Sequence, residues 1–286
     1  DGALHWMLKM GMEVLEEEEF QGQSLPLALP TNGGSIDFVA HNVGIKGNAE
    51  SILNAQRTSM ERGKEIQEVE VDSMLVKGVE VTEDGDVPFQ TLGFASAAGG
   101  IGQRFFEKLF EAGNHTTSTI VSVVAKTFAS YPVAMSPLRH VPGMPHTLRQ
   151  FARDMFKPTQ AHITVDGQRQ PWTNCTGIHV ASMMINLGDV FRLFNAADEP
   201  GKLHAIVGSP SPIEILANAP RLTMGMSIVA RNMIDGPCRE MSIEAAGDEL
   251  LGPVIDGEFY PNIRKMSFSV GPRVRIPKVV GRLPRN

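Results

Sequence analysis

Apolar positions along the chain fall into two textures. Up to residue 63 they recur mainly at three- and four-residue spacing, the period of a helix with one buried face. Leu4, Met7, Leu8, Met12 and Leu15 predict a helix over 3–17. A second helix over 48–62 has Asn48 in capping position and Gly63 just past its end. Between them, residues 24–29 read as a short apolar strand bounded by Pro26 and Pro30. Residues 36–43 read as a short helix capped by Ser35 or Asp37 and closed by Gly44. From Lys64 onward two-residue alternation takes over. Strands are expected at 66–71, 74–76, 79–81 and 87–97. Helices at 99–112, 116–130 and 146–155 interrupt them, with a proline-rich connection over 132–145. Then come a hairpin around Asp166-Gly167 and strands at 177–186, 202–207, 221–230, 241–245, 265–270 and 274–277, with a short helix at 212–218. Glycine and proline turns every 8–15 residues in this half suit a β-sandwich or barrel.

Composition narrows the class. The 286 residues are long enough for two domains. With 42% hydrophobic and 20% charged residues they read as an ordinary globular chain. The net charge of −6 supplies no basic field for nucleic acid. Two cysteines, Cys175 and Cys238, make neither a disulfide framework nor a metal motif, and they fit a reducing, cytoplasmic setting. The eight histidines are scattered without zinc spacing. The 15 methionines suit core filling and also an adaptable apolar surface such as a lipid site. The chain opens on Asp1-Gly2 and passes at once into an apolar-periodic helix, so further sequence upstream is expected.

Two stretches carry candidate chemistry. Near the C-terminus, Val254-Ile255-Asp256-Gly257-Glu258-Phe259-Tyr260 places an Asp-Gly turn between strands. Glycine takes positive φ there without a steric penalty. A carboxylate on a rigid turn, facing a cleft, can act as a general base. Near the N-terminus, Thr31-Asn32-Gly33-Gly34-Ser35-Ile36-Asp37 joins an apolar run to a helix start. Successive backbone N–H groups of such a turn, with the helix behind them, form an anion nest suited to phosphate.

Five segments, in order along nearly the whole chain, resemble the diacylglycerol kinase and sphingosine kinase catalytic family, including its bacterial members. Asp1-Gly2-Ala3-Leu4 is similar to the end of the family's Gly-Gly-Asp-Gly-Thr-Leu motif. Residues 33–40 followed by Asn42-Val43-Gly44-Ile45 are similar to its Gly-Thr-x-Asn-Asp-Phe-Ala stretch. Residues 89–97 resemble its Phe-x-x-x-Ala-x-x-Gly-Phe segment, and 195–203 its Ala-x-x-Asp-Asp-Gly-x-Leu loop. Residues 254–258 match its Asp-Gly-Glu.

The resemblance implies a two-domain α+β chain. Residues 1–63 would be the C-terminal part of an α/β nucleotide-binding domain, and 64–286 an antiparallel β-sandwich with helical insertions. It implies an ATP-dependent lipid kinase that moves the γ-phosphate to a hydroxyl of a diacylglycerol- or sphingoid-like lipid at a membrane surface. Glu258 and Asp256 would be catalytic. Asp1, Gly2, Gly33, Gly34, Ser35 and Asp37 would hold ATP, and Asp198 and Glu199 would hold Mg²⁺. The implied partners are the lipid, an upstream segment of the first domain that could be a separate chain, and a second copy in a homodimer. Peripheral membrane contact goes with this reading. Three positions depart from the pattern: Ala3 replaces Thr, Phe38 stands at the Asp position, and Pro200 replaces the second Asp of the loop. These departures define an alternative, a non-catalytic or repurposed member of the same fold that binds lipid or nucleotide or scaffolds a partner.

Overall fold

A computed structural model gives the fold and describes residues 2–34, 37–113, 117–135, 146–187, 191–197 and 199–278. The chain begins with α1 (Gly2–Leu15), a 3-10 turn (Glu18–Phe20), α2 (Phe38–Asn42) and α3 (Ala49–Glu61). The α3 helix starts where expected, because the Asn48 side chain accepts the Ser51 N–H at 2.9 Å. The predicted strand at 24–29 is absent. That segment is extended but keeps one backbone bond to the sheet, from Ala28 N–H to the Arg275 carbonyl. Two prolines, Pro26 and Pro30, limit the N–H groups it offers a ladder.

The next elements are β1 (Glu68–Thr82), β2 (Gly85–Gly93), β3 (Ala95–Gly99), α4 (Gly100–Glu111), α5 (Thr117–Met135) and α6 (His146–Met155). They are followed by β4 (Thr159–Val165), β5 (Gln168–Arg169), β6 (Asn174–Cys175), β7 (Gly177–Ala181), β8 (Ile185–Leu187), β9 (Phe191–Leu193) and β10 (Leu203–Gly208). The chain continues through α7 (Pro212–Ala217), α8 (Ala219–Thr223), β11 (Met233–Cys238) and β12 (Glu240–Ala245). It closes with β13 (Val254–Ile255), β14 (Glu258–Phe259) and β15 (Ile263–Pro277). The predicted strand at 221–230 is instead α8 and an extended link, and the pairing strand is β11. Pro220 in the first turn of α8 favours that outcome, since proline suits a helix start and removes a ladder donor.

Among the described residues the strands form two main antiparallel sheets. One runs β2-β1-β15-β12-β4-β5, with β6 on β4, and the other runs β11-β10-β7-β3-β13-β14. The first is built around β1 and β15, paired from Glu68–Pro277 to Glu80–Ile263. Two-residue alternation points Met74 and Val76, Ala161, Ile163 and Val165, Met241 and Ile243, and Met266 and Phe268 inward. Ile178, Val180, Leu203, Ala205 and Val207 of the second sheet meet them in one buried cluster. This is the expected sandwich, and each large side chain buried in it contributes about 1.5–3 kcal/mol.

A second buried cluster joins the N-terminal helices to the end of the sandwich. It holds Leu8 of α1, Phe38, Val39 and Ala40 of α2, Ile52 of α3, Leu92, Phe94, Ala181, Val274 and Ile276. A third, smaller cluster of Leu109, Ile120, Val123 and Met155 unites α4, α5 and α6. Among the described residues no helix is long and apolar enough to cross a membrane.

The sheets exchange chain at one point that matters for function. The expected strand 87–97 is broken at Phe94, where the chain leaves β2 in the first sheet and enters β3 in the second. Such a crossing takes backbone N–H groups out of both ladders, and they must be paired some other way.

Candidate functional site

Those N–H groups are taken by Asp256. Its carboxylate accepts from Phe94 N–H at 3.0 Å and Ala95 N–H at 2.9 Å, and its own N–H donates to the Ala95 carbonyl at 3.0 Å. Asp256 is only 7% exposed, so this carboxylate faces inward. Gly93 leaves the room for it: a β-carbon there would lie 2.6 Å from Ile255 Cγ2 and 3.0 Å from Asp256 Oδ2.

Asp256 and Gly257 form the two-residue turn of the β13–β14 hairpin, with Ile255 opposite Glu258. Their φ values of 50° and 94° are both positive, as a type I′ hairpin turn requires, which is the conformation the Asp-Gly pair predicts. Glu258 therefore stands at a fixed position directly after the turn. Its carboxylate reaches the first turn of α1, where a β-carbon on Gly2 would collide with Glu258 Oε1.

The same hairpin touches α1 one turn further on. His5 is fully buried, its Nε2 lies 2.6 Å from the Tyr260 hydroxyl, and Thr91 Oγ1 is 3.4 Å away. Its Nδ1 is 3.4 Å from Asp256 Oδ2 and makes no hydrogen bond. Burial pushes the Tyr260 phenol up, a hydrogen bond from Thr91 opposes this, and the charges of Glu258 and Asp256 add to the rise. The phenol keeps its proton, and because the Asp256 carboxylate beside Nδ1 can only accept, Nε2 is the ring's acceptor and the phenol donates to it. This assigns the imidazole proton to Nδ1, on the side of the Asp256 carboxylate. Tyr260 is also stacked on Phe89, with ring centroids 5.6 Å apart and 16° between planes.

The N-terminal glycine turn is arranged differently from the expected phosphate nest. Asp37, at the start of α2 with φ 51°, makes no forward cap and turns its carboxylate back to accept Gly34 N–H at 2.8 Å. One of the nest donors is thus occupied within the turn. Gly33 is open, with no atom within 4 Å of a β-carbon placed on it. Beside it, Asn32 donates to the carbonyl of Gly47 at 2.9 Å, while its buried Oδ1 has no partner. The turn thus leaves an open backbone at Gly33, while the unmatched Asn32 acceptor lies beneath the surface.

The loop expected to hold magnesium fits that role less well. Glu199 is bound by Lys202 at 2.5 Å, and Asp198 lies outside the described residues, as do Asp1 and Ser35. Asp72, which accepts Gly201 N–H at 2.6 Å, is held by Arg273 at 3.1 Å. Among the described residues no three His, Cys, Asp or Glu groups converge on a metal position. Phe38, at the family's carboxylate position, is a core residue only 5% exposed.

Sequence reasoning reached Asp256, Glu258 and Gly2 and missed their link, His5 and Tyr260. The available signal was the three-residue spacing of Gly2 and His5, which puts both on one helix face. A cleft lined by Lys108, Ser118, Ser122, Lys126 and Gln150 between α4, α5 and α6 shares no residue with this site. Cys175 and Cys238 are pushed up to about 12 by burial, so neither supplies a thiolate near neutral pH.

A scan of family models and a search of curated proteins each return no match. Solved structures are similar at low identity. One is a provisionally assigned diacylglycerol kinase from Bacillus anthracis str. Sterne, with 13% identity and a TM-score of 0.49 over 91% of this chain and 70% of that one. A diacylglycerol kinase structure from the same organism gives 11% identity and 0.48 over 89% and 68%. Yeast NADH kinase complexed with NADH gives 9% identity and 0.43 over 98% and 58%.

Proposed function

We propose that the chain is a lipid kinase that transfers the γ-phosphate of ATP to a lipid hydroxyl. The observation that carries this reading is the contact between Glu258 and Gly2. It joins the late Asp-Gly-Glu turn to the early Asp-Gly motif, which lie at opposite ends of the sequence. Glu258 takes the proton of the attacking hydroxyl as its oxygen bonds to the γ-phosphorus and the bond to the ADP oxygen breaks. Asp256 holds the turn by accepting the Phe94 and Ala95 N–H groups and does not meet the substrate. Gly2 at the α1 N-terminus and Gly33 at the open turn bind the nucleotide. Glu199, the described carboxylate of the 195–202 loop, is bound by Lys202, and Asp72 beside the loop by Arg273, so no step is assigned to magnesium.

A second reading is favoured by two observations, the burial of Phe38 and the closing of Gly34 by Asp37. It is a non-catalytic member of the fold that binds lipid or nucleotide. The discriminating experiment is transfer of labelled γ-phosphate to a panel of diacylglycerols and long-chain amino alcohols in mixed micelles. The kinase reading requires transfer that Glu258→Gln reduces by about a hundredfold or more, the scale of a lost general base. Gly2→Ala should cut it too, by displacing the carboxylate. A nucleotide-dependent rise in Tm with no transfer to any acceptor supports the second reading.

A further inference from the structure

The geometry points to His5 as the positioning residue for Glu258. This rests on the kinase reading above and adds to it a residue outside both motifs' expected roles. Three observations converge. Asp256, in the turn, and Tyr260, just past β14, stand two residues to either side of Glu258 and so bracket it. His5 meets both brackets: Nε2 is 2.6 Å from the Tyr260 hydroxyl, and Nδ1 is 3.4 Å from Asp256 Oδ2. Gly2, three residues before it on the same helix face, lies against Glu258 itself.

One face of the first α1 turns thus meets the hairpin at three successive alternate positions, and His5 supplies two of the three contacts. The imidazole is fully buried and its Nδ1 has no hydrogen bond. A buried donor without a partner is a cost that a purely structural site would be expected to remove. Here the ring sits where a small inward shift of the Asp256 turn completes the bond. His5 therefore sets how far the Glu258 carboxylate stands from the α1 N-terminus, the place where the phosphate is bound. A misplacement near 1 Å is enough to lower a rate by about a hundredfold.

The test uses the full chain and three variants, His5→Gln, His5→Asn and His5→Leu. Glutamine keeps a polar group at the reach of Nε2, asparagine keeps a donor at the place of Nδ1, and leucine keeps neither. Lipid phosphorylation is measured as kcat and as KM for ATP, beside amide hydrogen exchange of residues 254–260. His5→Leu should lower kcat by roughly thirty- to hundredfold with KM for ATP within about twofold, the signature of lost positioning. His5→Gln should recover to within about tenfold of wild type, because the Tyr260 bracket is kept, and His5→Asn should fall between the two. The Asp256 and Tyr260 amides, bonded to the Ala95 and Pro253 carbonyls, should exchange at least about tenfold faster in His5→Leu, while those of β4 and β12 stay unchanged.

Equal kcat in wild type and His5→Leu overturns the proposal. So does a loss that tracks only the folded fraction, or one that His5→Gln does not relieve. If wild type transfers no phosphate, the kinase reading fails by itself. The exchange measurement still decides whether His5 holds the hairpin, and unchanged Asp256 and Tyr260 amides overturn that as well.

Discussion

Two buried histidine–aspartate pairs lie among the described residues, and they are built to different standards. In the pair at the β10–β11 edge, His204 Nε2 is 2.5 Å from Asp235 Oδ1, and Nδ1 accepts Ala196 N–H at 3.0 Å. Asp235 Oδ2 accepts Ile228 N–H at 2.5 Å, and the two side chains are 1% and 4% exposed. Both ring nitrogens and both oxygens are used. The Ala196 N–H fixes the proton on Nε2, so this pair has one arrangement. It ties the 194–202 loop and the 226–230 link to the second sheet. In the pair at the hairpin, His5 and Asp256 are 3.4 Å apart without a hydrogen bond. Buried polar networks are rigid when saturated and adjustable when one bond is open. The saturated pair is a clamp, and the open one sits beside the carboxylate that would do the chemistry.

The largest expected effect tests the clamp. His204→Leu removes the ring's bonds and leaves Asp235 buried with one remaining N–H donor. Breaking such a pair from one side costs about 3–5 kcal/mol. His5→Leu should cost less, roughly 1–3 kcal/mol, because Asp256 keeps the Phe94 and Ala95 N–H groups. Urea denaturation of the two variants decides the matter, and equal losses would remove the distinction between clamp and joint.

A third histidine has no acid partner and sharpens the contrast. His179 packs between Gly102 and Gly177 and makes no hydrogen bond among the described residues. Burial pushes it down to about 4 from an ordinary 6.5. It is a base with a lowered folded value, so its neutral form is favoured in the fold. Its contribution is complete above pH 6.5, declines as the unfolded chain takes up a proton below that, and is gone below about pH 4. Part of the residue still meets solvent, so the full linkage value of ~3 kcal/mol is an upper limit. Denaturation midpoints between pH 7 and 4 should fall in wild type, and this share of the slope should vanish in His179→Asn.

The carboxylates can be compared in the same way. Asn for Asp turns one acceptor oxygen into a donor. In Asp235→Asn that donor meets either His204 Nε2–H or Ile228 N–H, each at 2.5 Å, with no slack. In Asp256→Asn the oxygen can still accept Phe94 and Ala95 N–H, and the NH₂ faces His5 across 3.4 Å. Asp256→Asn should therefore lose about 1–2 kcal/mol, and Asp235→Asn measurably more. A larger loss in Asp256→Asn, read from the same denaturation curves, would mean that the hairpin pair is the tighter one.

The fold was legible where periodicity is strong and local. The capped α3 helix, strands such as β1, β4, β10 and β12, and the Asp256-Gly257 turn follow from spacing and turn chemistry, whereas β11 lies later than the 221–230 that spacing predicts. The break at Phe94 was not legible, because a continuous apolar run looks the same whether or not it changes sheets. What fixes the break is Asp256, 162 residues away. The site was half legible for the same reason. Glu258 and Gly2 are marked by motifs, but His5 and Tyr260 become partners only through a contact 255 residues apart, which no local pattern records. The Gly34 N–H misled in the opposite direction. Its glycine predicts a free donor, and the carboxylate that occupies it is three residues on, in Asp37.

The smallest effect isolates the joint most cleanly. Tyr260→Phe keeps the ring stacked on Phe89, since that contact uses only the aromatic face. It removes the hydroxyl that donates to His5 Nε2 at 2.6 Å, and with it the group that fixes the imidazole tautomer. Thr91 Oγ1, 3.4 Å from the same nitrogen, can move in to donate instead. The net loss in stability should be about 1 kcal/mol or less, the ordinary worth of one such bond with a substitute at hand. A small stability change with a clear fall in phosphate transfer would show that the hydroxyl works by holding the hairpin in place. A loss above about 3 kcal/mol would put the hairpin pair on the same footing as His204 and Asp235.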